Sequence, residues 1–119
     1  MKTLAPLLAA GLVLAASFTT TGNASAASFA CGANMAPDET AICADCDLSQ
    51  LDVKMATMYQ VLTRTSAMGA RGALQDDQRA WLVQRARCGG DRACIRAAYE
   101  ARIGQLQKLL DDFYARGPY

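Results

Sequence analysis

The chain has 119 residues, with twelve Lys and Arg against eleven Asp and Glu, five Cys and no His. Without His, a Ser-His-Asp triad, a Cys-His pair, an imidazole-ligated metal centre and a histidine pH switch are all excluded. The near-neutral balance and the 7% aromatic content remove the basic face expected of a nucleic-acid binder, and the length holds one compact domain.

Lys2 precedes an apolar run from Leu4 to Phe18, interrupted only by Pro6, Gly11 and Ser17. That run is shorter than the roughly 20 residues a membrane-spanning helix needs. The small residues behind it include Ala24-Ser25-Ala26, an A-x-A cleavage site, so residues 1–26 read as a secretory signal and 27–119 as a single exported helical domain. Losing Lys2 leaves equal numbers of each charge, which gives the exported domain no long-range steering field. Ser28, Phe29 and Ala30 before Cys31 do not form a lipoprotein acylation signal.

In the exported part Pro37, Asp38 and Glu39 suit the first turn of a helix that ends near Ala44. Asp47 is the expected cap of a second helix, in which Leu48, Leu51, Met55, Met58 and Leu62 recur three and four residues apart. Thr65 to Gly72, carrying Ser66, Gly69 and Gly72, reads as a linker. A third helix follows with Leu74, Gln78, Trp81, Leu82, Arg85 and Cys88 on one face, and Gly89-Gly90 stops it. Asp91 caps a fourth helix whose inner face is Ile95, Tyr99, Ile103, Leu106, Leu110 and Phe113. These elements make an all-α bundle of about four helices: two long and antiparallel, one medium, one short and N-terminal.

All five cysteines, 31, 43, 46, 88 and 94, fall in the exported part, where an oxidising compartment allows disulfides and a small core benefits from them. Spacing leaves the pairing open. Local closure favours Cys31 with Cys43 and Cys88 with Cys94, and a loop of about a dozen residues is worth roughly 3 kcal/mol on the chain-entropy model. Cys43-Ala44-Asp45-Cys46 is a C-x-x-C, but redox chemistry of that type expects a thioredoxin-like sheet and no strand pattern is present. A zinc site from Cys43, Cys46, Cys88 and Cys94 would need an unusually wide C-x5-C knuckle, so no metal and no cofactor are expected.

Ser28-Phe29-Ala30-Cys31, Ala41-Ile42-Cys43, Leu51-Asp52, Tyr59, Gln78-Arg79-Ala80-Trp81-Leu82, Arg85, Cys88, Cys94, Tyr99 and Arg102-Ile103 together resemble the LprI-type lysozyme inhibitor family of secreted bacterial proteins. The resemblance spans nearly all of the exported part. It implies a small, helical, disulfide-stapled envelope or secreted protein that is not an enzyme and whose partner is a c-type lysozyme or related muramidase. Members commonly carry Pro or a polar residue where Cys46 stands, which makes Cys46 the free thiol and a route to a dimer. The named type is lipid-anchored, whereas this chain lacks that signal and is expected to be periplasmic or secreted, with no membrane span once the signal is removed and no nucleic-acid partner.

Asp52 shares its helix with the apolar Leu51 and Met55, so a buried carboxylate there needs a partner; Arg79 and Arg85 are the candidates, and only one can pair with it. The motif Gln78, Arg79, Trp81, Leu82, Arg85 is then mainly structural, holding helix two on helix three, with Tyr59 and Trp81 as core anchors. A lysozyme cleft contains two carboxylates, so a plug for it should present a cation. The turn from Cys88 to Cys94, with Asp91 and Arg92 and with Arg87 beside it, is the candidate partner contact; the alternative is that Asp91 is only a helix cap and Arg92 a solvated first-turn side chain. The alternative, of a different class, is a periplasmic envelope structural or stress protein that binds another envelope protein.

Overall fold

The computed structural model describes residues 26–117, so the segment before Ala26, expected to be a signal, and Pro118 lie outside it. Its elements are α1 (Pro37–Cys43), α2 (Cys46–Thr65), α3 (Met68–Ala86) and α4 (Arg92–Ala115), and none of the described residues is in a strand. Pro37 opens α1, and the Glu39 carboxylate reaches back to accept from the Ala36 N–H at 3.3 Å.

Two helix starts differ from the sequence expectation, and α3 ends at Ala86, which leaves Cys88 in the turn instead of on the helix. The cap of α2 is Asp45, not Asp47: Asp45 Oδ1 accepts from the Asp47 and Leu48 N–H groups at 3.0 and 3.1 Å. The chain turns between α1 and α2 through Ala44 and Asp45 alone, and Ser49 Oγ donates to Ile42 O at 2.7 Å across that corner. Because the corner is so tight, Asp45 is already the last extended residue (φ −129°, ψ 114°), and Asp47 falls inside the first turn. The second difference is at Thr65–Gly72. Only Ser66 and Ala67, both extended, make the reversal; Gly69 and Gly72 lie within α3, and Arg71 Nη2 donates to Ser66 O to close the turn. Two helical glycines cost about 1 kcal/mol each relative to Ala, which the burial of Leu74 and the helix beyond it outweighs. As a result α3 is 19 residues long, comparable with α2 at 20 and α4 at 24.

Each helix touches the other three. Along the α2–α4 interface Asp45 meets Arg92, Asp47 meets Arg96 and Asp52 meets Tyr99, so these two run in the same direction, and α3 runs antiparallel to both. α1 lies at the end of the bundle where α2 and α4 begin and α3 finishes. The core is built from Ile42 on α1, Leu48, Met55, Met58 and Leu62 on α2, Leu74 and Trp81 on α3, and Ile95, Tyr99 and Leu106 on α4. Two bonds staple the α1 end: Cys31–Cys43, twelve residues apart, and Cys88–Cys94, six apart. Gly89 adopts φ +56° in the turn that the second bond spans, a conformation that favours glycine. None of the described helices is long and apolar enough to cross a membrane.

Candidate functional site

A continuous polar relay runs through the middle of this bundle. Arg85 on α3 donates from Nε to Asp38 Oδ2 on α1 at 2.9 Å and from Nη1 to the Tyr99 hydroxyl on α4 at 2.9 Å. Tyr99 in turn donates to Asp52 Oδ1 on α2 at 2.9 Å, and Asp52 Oδ2 accepts from the Ser28 N–H at 2.6 Å. Asp38, Asp52, Arg85 and Tyr99 are all buried. The relay therefore ties all four helices and the segment leading into α1 through one guanidinium and one phenol. Its cation is also enclosed by rings, with the Arg85 guanidinium carbon 5.6 to 5.9 Å from the centroids of Trp81, Tyr99 and Phe29. Burial holds the Tyr99 phenol protonated far above the usual range; Arg85 opposes the shift, while the Asp52 charge and hydrogen bond reinforce it.

Neither predicted partner reaches Asp52 directly. Arg85 spends its charge on Asp38 and touches Asp52 only through Tyr99. Arg79 is exposed and pairs with Asp76 on its own helix, because position 79 falls on the solvent side of α3. Of the motif residues, Gln78, Trp81 and Arg85 are buried, Tyr59 is half-buried, and Arg79 and Leu82 face solvent. Trp81 donates from its indole N–H to Ala98 O at 3.2 Å and meets Tyr99 edge to face. Gln78 donates to Met55 Sδ at 3.2 Å and accepts from Arg102 Nε at 3.1 Å. Arg102, buried on α4, also donates from Nη1 to Gln105 Oε1 at 3.1 Å, and its Nη2 is buried with no hydrogen-bond partner.

The outer surface at the α1 end carries the exposed groups. Asp91 Oδ1 accepts from the Ala93 and Cys94 N–H groups and so caps α4. Arg92, whose side chain is 60% exposed, lies 3.4 Å from Asp45, and Arg96 lies 3.5 Å from Asp47. Arg87 is exposed at the end of α3. Cys46, the free cysteine among the described residues, is exposed in the first turn of α2 beside this group. Of the C-x-x-C, only Cys46 remains a thiol, since Cys43 is bonded to Cys31.

Sequence reasoning missed Asp38, which looked like an ordinary first-turn acid, and the pairing role of Tyr99, which looked like one more apolar position. The readable signal was a tyrosine on a stripe otherwise made of Ile and Leu: a phenol placed in a core demands partners. Arg102 gave no such signal, because it sits one position off the inner stripe of α4.

A family model described as lysozyme inhibitor LprI matches residues 31–113. No curated protein and no solved structure matches the chain.

Proposed function

The chain belongs to the LprI lysozyme inhibitor family, and from that premise we propose that it is an exported binding protein that slows peptidoglycan hydrolysis by a c-type lysozyme or related muramidase. The observation that carries this reading is the family match across residues 31–113. Two disulfides fit an oxidising compartment, periplasmic or extracellular, reached after removal of residues 1–26. The protein acts by occupying a surface rather than by catalysis.

The contact surface in this reading is the turn from Cys88 to Cys94. Its conformation is fixed by the disulfide and by the Asp91 cap, so presenting Arg92 and Arg87 to a cleft that holds two carboxylates costs little ordering. The long contact of Arg92 with Asp45 is exposed and therefore worth little, so the guanidinium is free to exchange that partner for one on the enzyme. Cys46 adds a second property: in an oxidising compartment a disulfide oxidant can take two electrons from the exposed thiols of two copies and join them by a disulfide, with loss of two protons.

The test is the rate at which a c-type lysozyme clears cell walls with the oxidised protein in micromolar excess. The rate should fall, and Arg92→Ala should weaken the inhibition while leaving the melting temperature unchanged. Undiminished lysis by an intact, oxidised protein would end this reading. Recovery of envelope proteins alone in a pull-down would then favour an envelope-structure role.

A further inference from the structure

Arg102 is the buried cation that the relay leaves out. It is 5% exposed, and among the described residues it forms no ion pair, whereas the equally buried Arg85 holds Asp38. Burial lowers its pKa, with Asp77 and Tyr59 opposing only through space. A buried charge without a counter-charge is costly and needs a compensating group. The two acceptors it does have, Gln78 Oε1 and Gln105 Oε1, are neutral amides that fix the guanidinium while leaving Nη2 unsatisfied.

The same residue lines a groove of about 540 Å³ between α3 and α4, together with Trp81, Gln105 and Leu109, and with two carboxylates, Asp77 and the Asp112 that pairs with Lys108. One wall of that groove is easily moved. Gln105 is exposed, and its amide is held to Arg102 from the next turn of the same helix, so a change of rotamer frees Nη1 without disturbing the backbone. Lys108 is likewise exposed and bonded only to Asp112.

We propose that this groove binds a carboxylate-bearing ligand, with Arg102 holding the carboxylate end-on through Nη1 and Nη2 and with Trp81 and Leu109 packing against its apolar stem. Gln105 Oε1 occupies the position of one ligand oxygen and gives way to it, since a carboxylate brings the full counter-charge and the two-oxygen fork that a single amide oxygen lacks. A free small acid and an acidic side chain of a partner protein offer the same chemistry. The site stands independently of lysozyme inhibition, because it lies along the bundle from the Cys88–Cys94 turn.

Trp81 is the single tryptophan of the chain, so its emission reports on the groove. The oxidised protein is titrated with sodium butanoate, with butanamide and sodium chloride as neutral and ionic controls, and with a short peptide that has blocked ends and one central Glu. Butanoate or the Glu peptide should give a saturating change that butanamide and chloride do not. A response to butanoate alone assigns the site to free acids, and a response to the peptide alone assigns it to a protein side chain. Arg102→Lys, which keeps the charge but loses the fork, should weaken binding at least tenfold. Gln105→Glu supplies the carboxylate within the chain, so it should abolish the response and raise the melting temperature. The proposal is overturned if neither carboxylate saturates, if the controls give the same change, or if Gln105→Glu folds and still responds to ligand as the parent does.

Discussion

Replacing Tyr99 with Phe removes one oxygen from the centre of the relay and leaves the ring in place against Trp81 and Arg85. That oxygen accepts from Arg85 Nη1 and donates to Asp52 Oδ1, both at 2.9 Å and both buried. Hydrogen bonds to charged groups contribute about 1.5–3 kcal/mol each. The two bonds share one hydroxyl, so their costs do not simply add. Asp52 would keep the Ser28 N–H and Arg85 would keep Asp38, which limits the damage to one orphaned donor and one orphaned acceptor. The expected loss is about 3 kcal/mol, a large share of the roughly 5–15 kcal/mol by which small domains are stable. In a domain of this size it corresponds to a fall in Tm of roughly 15 °C. The assay is urea and thermal unfolding of the oxidised protein followed by helical circular dichroism, with Tyr114→Phe, on an exposed residue, as the control. Asp52→Asn and the double variant complete a cycle, and the coupling between positions 99 and 52 should be well above zero. A loss below about 1 kcal/mol, or no coupling, would refute the claim that this relay holds the four helices together.

Other consequences follow from the same geometry. Gly69 and Gly72 are helical and a Cβ at either would meet nothing within 4 Å, so Gly69→Ala and Gly72→Ala should each raise stability by about 0.5–1 kcal/mol, read as a higher midpoint in urea. Because the phenol of Tyr99 is raised in the folded state, its contribution is fully present below the unfolded tyrosine value of about 10 and is lost as pH climbs above it. Ultraviolet difference titration should therefore show one of the four tyrosines ionising only together with unfolding; four independent, reversible titrations near the ordinary value would contradict this. Cys46→Ser should remove any dimer seen on non-reducing gels and leave helicity and Tm unchanged, since its side chain is exposed; a dimer that survives the substitution would show that another contact joins the copies.

The periodic apolar spacing of α2 and α4 was legible because a helix buries one stripe, and Leu48, Met55, Met58, Leu62, Ile95, Tyr99 and Leu106 do form the core. The Asp91 cap and the glycine stop after α3 were legible for the same local reason: each depends on chain neighbours only. Local rules also misled where two options lay close together. Asp45 and Asp47 both suit an N-cap, and the two-residue corner with α1 chose between them. Gly69 and Gly72 suit a linker, yet packing further along the helix carried α3 back to Met68.

The sequence by itself determined that this is a helical, cysteine-stapled chain without imidazole chemistry, because composition, period and capping act between near neighbours. It also carried the family resemblance. Tertiary structure alone decided who satisfies whom inside the core. Asp38, Asp52, Arg85 and Tyr99 come from four different helices, and the partners of each lie at least 14 residues away along the chain or further. A buried carboxylate announces that it needs a partner, but only the packing of helices selects it. Here that packing gave Asp52 a phenol instead of a guanidinium and left Arg102 with two amides and one unused nitrogen.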